Sequence, residues 1–248
     1  MNTYQDTPHA DAIVVHSGGM DSSLCLAVAV ERFGAENVLS MSFRYGQRHV
    51  EELSRAKAIA DRLGVRNIVI PIDCLQEITT SALMDPTVEI LHDDGKAPNT
   101  AVIGRNGLMV RIAAIHAHQL GAKHVYTGVI EVESANSGYP DCSRAYMDKM
   151  EEILRLDLET EEFFIETPVV RMTKKETMAL GWRMGLLAFL LETTITCYRG
   201  VEKQGCMNCP ACSLRNEGIL EFLADCPELE FSYKDCLKAA PAARAKSA

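Results

Sequence analysis

Ser17-Gly18-Gly19-Met20-Asp21-Ser22 restricts the fold more than any other stretch of the chain. It lies between a short β-rich run, Ala12–His16, and a run of helical length, Asp21–Phe33, that stops at Gly34. Adjacent glycines let the backbone turn without Cβ clashes and present amide N–H groups to an anion. Hydroxyls on both sides add donors, and a helix starting near Asp21 adds the positive end of its dipole. Strand, glycine turn and helix in that order make an anion site at the carboxyl end of a parallel strand. The stretch is not a Walker A loop, which needs Gly-Lys-Ser/Thr, nor the G-x-G-x-x-G of dinucleotide folds. The plain alternative is a tight turn whose serines only cap the helix.

The rest of the chain continues the rhythm. Val38–Phe43, Asn67–Ile72 and Lys123–Val129 read as further strands; Val50–Leu63, closed by Gly64, and a stretch ending at Arg111–Leu120 read as helices. Continuous rather than alternating apolar strands indicate an α/β fold, a doubly wound parallel sheet covered on both faces. Leu75–Asn99 is polar and reads as a long surface excursion. Thr173 and Glu176 form a capping box for a helix ending near Gly181, Leu214–Ala224 reads as one last helix, and the Ala/Lys-rich end after Lys234 reads as poorly ordered. Residues 10–190 are therefore expected to form the main domain, residues 191–225 a small cysteine-bearing segment, and residues 234–248 a loose tail.

Composition excludes several classes. A formal charge of −9 argues against a nucleic-acid-binding surface. No apolar stretch approaches the roughly 20 residues of a membrane span, and the first ten residues are too polar for a secretory signal, so the expected compartment is the cytoplasm. Of nine cysteines, Cys197, Cys206, Cys209 and Cys212 follow a C-x8-C-x2-C-x2-C pattern. Such spacing lets four thiolates converge on one ion and leaves no open ligand position, so the metal is expected to be structural. The pattern admits Zn2+ or an iron–sulfur cluster, because C-x2-C-x2-C also occurs in ferredoxins. His116 and His118, two apart on a helix, point to different faces and make no metal pair.

Ser-Gly-Gly-x-Asp-Ser resembles the signature of the ATP-pyrophosphatase (PP-loop) family, whose fold is adenine nucleotide alpha hydrolase-like. Further segments resemble the 7-cyano-7-deazaguanine synthases of that superfamily: Phe43-Arg44-Tyr45-Gly46-Gln47-Arg48-His49, Val102-Ile103-Gly104-Arg105-Asn106, Ser137-Gly138-Tyr139-Pro140-Asp141-Cys142, Glu166-Thr167-Pro168 with Thr173-Lys174-Lys175-Glu176, and the cysteine segment itself. The likeness runs from about Ala12 to Leu223.

The resemblance implies a reaction in which ATP is split between its α and β phosphates. A deazaguanine acid is adenylated, ammonia gives the amide, and a second ATP takes the amide to the nitrile. It implies ATP contacts from His16, Ser17, Gly18, Gly19, Met20, Asp21, Ser22 and Ser23, with Asp21 placing Mg2+ and Ser17 and Ser22 on pyrophosphate. Arg105 is a catalytic candidate with Asp21, and Arg105, Asn106, Tyr139 and Asp141 are substrate-pocket candidates. The likeness favours zinc at the four cysteines and a homodimer, with no membrane or nucleic-acid partner.

Departures from the family gather near the expected substrate pocket. Ile103 replaces a proline, Glu131–Asn136 is longer than usual, Ser143 stands where an arginine is common, and Met207-Asn208 replaces a glycine-containing pair between two cysteines. They leave a second reading open, in which the activated acid is joined to a protein amine and the reaction stops at the amide. A tRNA-modifying ligase is the third reading, and the acidic charge weighs against it.

Overall fold

The computed structural model describes residues 9–46, 51–79, 81, 82, 84, 88, 99–131 and 139–239. Its centre is a parallel sheet of β1 (Ala12–Val15), β2 (Val38–Arg44), β3 (Arg66–Pro71), β4 (His124–Thr127) and β5 (Phe164–Glu166), in the order β3-β2-β1-β4-β5. Around it lie α1 (Met20–Phe33), α2 (Glu51–Arg62), α3 (Cys74–Ile78), α4 (Arg105–Leu120), α5 (Arg144–Asp157), α6 (Lys174–Arg183), α7 (Leu187–Thr193), α8 (Pro210–Asp225) and α9 (Lys234–Ala239).

Successive side chains of a strand point to opposite faces, so β1 divides the core. Ala12 and Val14 pack with Leu24 of α1, Met178 of α6, Leu190 of α7 and Phe222 of α8. Ile13 packs on the other side with Met41, Val110 and Ala113 of α4, and Met147 of α5. The sheet is thus covered on both faces, as expected of a doubly wound fold. Ala12 pairs with Val38 on one edge and with His124 on the other, and strand order reverses between β1 and β4. In such sheets a ligand crevice opens beyond the strand ends at the reversal.

Several boundaries and segments differ from expectation. Leu75–Asn99 is not wholly a surface excursion: α3 overlaps its start, Leu75 and Met84 are buried on the α4 side of the core, and Ala82 is buried too. Apolar side chains spaced along a polar stretch give no periodic signal. Leu214–Ala224 falls within α8 but is not the last helix, because Lys234–Ala239 forms α9. Leu237 of α9 is buried, and Lys234 donates to Pro227 O and Glu230 Oε1 at 2.7 and 2.6 Å, which anchors a segment read as loose. Residues 240–248 lie outside the described residues. The exposed edge strand β3 also departs from the continuous burial expected of it.

Three elements had no sequence reading. β5 has only three residues, too few to show a period. Helix α7 has only seven residues, five of them apolar, of which Leu187, Leu190 and Leu191 are buried, so it shows no clear polar face. Helix α5 is preceded by Ser143, whose Oγ accepts from Tyr146 N at 3.2 Å. The departure at Ser143 therefore gives the helix an N-cap, while Arg144 reaches Ile165 O and Thr167 Oγ1 at 2.6 and 3.0 Å and ties α5 to β5. No helix among the described residues is long and apolar enough to cross a membrane.

Candidate active site and metal knuckle

The Ser17–Ser22 turn joins β1 to α1 at the strand reversal. Gly18 adopts φ 81°, and a Cβ there would lie 2.5 Å from Glu52 O and 2.8 Å from Ala56 N, so the turn presses directly on the backbone of α2. Ser17 Oγ accepts from Gly19 N at 3.3 Å and lies 3.1 Å from Ser22 Oγ, which makes a laced ring of hydroxyls. The first intrahelical bond runs from Ser23 N to Gly19 O, so the N–H groups of Met20, Asp21 and Ser22 precede the helical ladder. Gly128, just past β4, closes the other side: a Cβ would meet Ser22 N at 2.5 Å. Gly18→Ala is expected to cost about 2 kcal/mol or more from the left-handed backbone and the clash with α2. Thermal unfolding reads that loss, and calorimetric titration should show ATP binding weakened at least tenfold.

Beside the turn a cleft of about 320 Å³ opens, within the range of small-molecule sites. Asp21, Lys174, Glu52, Arg105, Thr196 and Tyr198 are among the polar residues of its lining. Lys174 Nζ donates to Asp21 Oδ2 at 2.7 Å, while Asp21 Oδ1 is buried without a hydrogen-bond partner. Gly218 of α8 fixes this lysine, since a Cβ on that glycine would fall 2.4 Å from Lys174 Cβ. Arg105, the first residue of α4, donates to Tyr45 Oη at 3.1 Å and stands over its ring at 5.3 Å. Burial pushes the Glu52 carboxyl up to about 7 despite the opposing charge of Arg105.

One wall of the cleft belongs to the cysteine segment. The four sulfurs of Cys197, Cys206, Cys209 and Cys212 lie within 4.8 Å of one another. Four thiolates 2.3 Å from a tetrahedral ion stand about 3.8 Å apart, close to this spacing. In a cubane each thiolate binds a different iron, which spreads the sulfurs farther. The donor set therefore fits one tetrahedral ion. Arg199 N donates to Cys197 Sγ at 3.4 Å and Cys209 N to Cys206 Sγ at 3.3 Å. Gly205 has φ 71°, and a Cβ there would lie 2.3 Å from Cys212 Sγ. Met207, in the pair where the resemblance leads one to expect a glycine, also takes positive φ, 59°. Arg215 and Asn216 of α8 donate to Lys203 O and Gln204 O at 2.5 and 2.9 Å, stapling the knuckle to the helix that fixes Lys174.

Residues 11–223 match the family model described as queuosine biosynthesis protein QueC. The chain belongs to the QueC family. Among solved structures it is similar to an NMN synthetase from Francisella tularensis, at 13% identity, with 86% of this chain and 78% of that chain covered and a TM-score of 0.46.

In this QueC-family chain the predicted residues do not all meet. Ser17, Asp21, Ser22, Arg105 and Asn106 line the cleft together. His16 lines it too, yet the residue is only 1% exposed, with Nδ1 2.9 Å from Ser40 Oγ and Nε2 3.1 Å from Ser23 Oγ. Burial lowers its pKa to about 4, so it stays neutral at physiological pH. Ser23, fully buried, donates to Gly19 O at 2.7 Å. Gly18, Gly19 and Met20 form the turn and the start of α1, with Met20 in the core.

Asp141 and Tyr139 are not part of the cleft lining. Asp141 Oδ2 accepts from Asn106 N at 3.0 Å and so caps α4, and Tyr139 is hydrogen-bonded to the Thr100 hydroxyl. Cys142 does reach the lining, its thiol pushed up to about 11 by burial, and its sulfur accepts from Asn106 Nδ2 at 3.4 Å. Residues 132–138, including Ser137 and Gly138, lie outside the described residues.

Glu52, Thr196 and Tyr198 carried no sequence signal as site residues, and Lys174 appeared only inside a capping box and the family-like stretch around it, with no role assigned. The box forms, with Thr173 Oγ1 accepting from Glu176 N at 3.2 Å and Glu176 Oε2 accepting from Thr173 N at 2.8 Å. Its hydrogen bonds orient the first turn of α6, from which Lys174 points to the loop. That lysine and Asp21 are 153 residues apart in the chain.

Proposed function

We propose that the protein converts 7-carboxy-7-deazaguanine and ammonia to 7-cyano-7-deazaguanine, spending two ATP and releasing AMP and pyrophosphate twice. The observation that carries this reading is the pairing, in one cleft of a QueC-family chain, of an anion-binding turn with an arginine and a lysine. An anion-binding turn suits departing pyrophosphate, and a planar guanidinium suits a carboxylate.

The free amides of the first turn of α1, with the hydroxyls of Ser17 and Ser22, receive pyrophosphate. Lys174 lies at the same place and balances charge that builds on the leaving group. Asp21 Oδ1, buried and unpartnered, is the atom best suited to hold Mg2+. When bound, that ion supplies positive charge to the phosphates. Arg105, oriented by Tyr45, grips the substrate carboxylate so that one of its oxygens attacks the α phosphate. Carboxylate carbon is a poor electrophile, and the adenylate gives it a good leaving group. The four cysteines would hold Zn2+, and a closed site there would steady the wall formed by Thr196, Tyr198, Ala211 and Leu214.

Joining the acid to a protein amine would need a cleft that attracts a cationic side chain, and of the two carboxylates of the Glu131–Asn136 segment Glu133 lies outside the described residues. Glu131 is already engaged: Oε2 accepts from Arg144 N at 2.8 Å, and Oε1 lies 3.4 Å from Arg171 Nε. That engagement favours ammonia. The test counts AMP against acid consumed, with products weighed by mass spectrometry. Two AMP per nitrile with ammonia is expected. Absence of turnover with ammonia, while a protein gains the mass of the acid less water, would overturn the reading.

A further inference from the structure

Glu52 is the one cleft carboxylate without an assigned task among the described residues that line it. Its place is set by the phosphate turn, because Gly18 packs on its carbonyl oxygen. The groups facing it are Arg105 of α4 and Tyr45 beyond β2, with Glu51 beside it on α2. Asp21 and Lys174 are paired with each other elsewhere along the same lining. Arg55, one turn along α2, is taken by Glu202 of the knuckle.

A carboxylate kept only for structure would be expected in an ion pair with the guanidinium nearby. Arg105 instead donates to Tyr45, and no hydrogen bond ties down the Glu52 carboxylate among the described residues. Thr196 Oγ1, buried in the same lining, is likewise unpartnered. The Glu52 carboxylate thus lacks a hydrogen-bond partner in a cleft whose fixed cations are engaged by Tyr45 and Asp21, and a second, buried oxygen of the lining lacks one too. A small N–H cation is the ligand that such acceptors fit.

We infer that Glu52 is the catalytic base for the nitrogen donor: it receives ammonium in the cleft and takes a proton from it. The inference rests on the adenylation reading above. Ammonium gives one proton to the Glu52 carboxylate and becomes ammonia. The nitrogen lone pair then forms the C–N bond at the acyl carbon, and the C–O bond to AMP breaks with its electrons on the phosphate oxygen. A second nitrogen proton leaves with the AMP phosphate or water, and the amide is neutral. The raised proton affinity of Glu52 brings it closer to that of an amine than an ordinary carboxylate.

The test separates activation of the acid from attack by nitrogen. Wild type and Glu52→Gln are compared in acid-dependent exchange of labelled pyrophosphate into ATP, in turnover with ammonium, and in hydroxamate formation with hydroxylamine. Hydroxylamine is largely unprotonated at neutral pH and needs no base. Glu52→Gln is expected to keep exchange within about threefold, lose ammonium-dependent turnover by about 10²-fold or more, and form hydroxamate at nearly the wild-type rate. The wild-type ammonium profile should rise through about pH 7 as Glu52 ionises, an inflection that the variant loses.

Thermal unfolding checks the fold, and its sign follows from the same group. Folding raises the Glu52 pKa from 4.5, so the native state holds a proton that the unfolded chain gives up across that window, and wild-type stability falls as pH rises towards 7. Glu52→Gln should therefore melt no lower than wild type at pH 8. Exchange in both proteins with unchanged ammonium turnover in the variant would overturn the Glu52 assignment alone. A wild type that neither exchanges nor makes nitrile would overturn the adenylation reading and this assignment with it.

Discussion

Asp21→Asn should slow the release of AMP and pyrophosphate by about 10²–10³-fold, the scale on which one aligned electrostatic group acts in a low-dielectric site. The change is isosteric, so it removes charge and leaves shape. Asp21 Oδ1 is buried and unpartnered, and Asp21 Oδ2 holds Lys174 at 2.7 Å. Neutralising the side chain relieves a desolvated carboxylate but leaves Lys174, whose side chain is 11% exposed, without its counter-charge. These effects on stability oppose each other, and the melting temperature should move by only a few degrees. Asp21 and Lys174 act as a unit, so the double variant Asp21→Asn with Lys174→Met should be far less than multiplicatively impaired. Chromatographic measurement of AMP and pyrophosphate checks this. ADP and orthophosphate as first products of the wild type would contradict the whole assignment.

Cys209→Ser should lower the melting temperature by about 6–12 °C, taking about 3 kcal/mol for a lost ligand and 2–4 °C per kcal/mol in a chain of this size. Purified protein should carry about one zinc per chain and be colourless. Loss of activity should accompany the loss of stability rather than lag behind it. Thr196 and Tyr198 flank Cys197, and Ala211 and Leu214 flank Cys212, and all four line the cleft. The same helix that begins at the knuckle, α8, clamps Lys174 through Gly218. Metal analysis, a melting curve and a turnover assay on one preparation decide it. A brown protein with stoichiometric iron would refute the zinc assignment, and an unchanged melting temperature would refute the stabilising role.

Local chemistry was legible where it is written in consecutive residues. The turn from Ser17 to Ser22 declared itself because paired glycines, hydroxyls and a following helix serve an anion without help from distant parts of the chain. The capping box at Thr173 and Glu176 spans a single helical turn, and it formed as read. Cysteine spacing alone brought Cys206, Cys209 and Cys212 together, since two-residue gaps suffice. Helix α7 and strand β5 were not legible, one because it shows no clear polar face and the other because it is too short to show a period.

The sequence by itself determined the class of sheet, the place of the phosphate turn and the donor set of the knuckle, because each depends on periodicity or on neighbours a few residues apart. Tertiary structure alone decided which charged groups share the cleft. It brought Lys174 to Asp21, put Glu52 behind Gly18 and Arg105 over Tyr45, and turned Asp141 to cap α4. These are contacts between elements widely separated in the chain, set by how helices pack on a sheet. Burial then did to Glu52 and His16 what no motif encodes: it raised the proton affinity of one and lowered that of the other, because a group removed from water resists carrying charge.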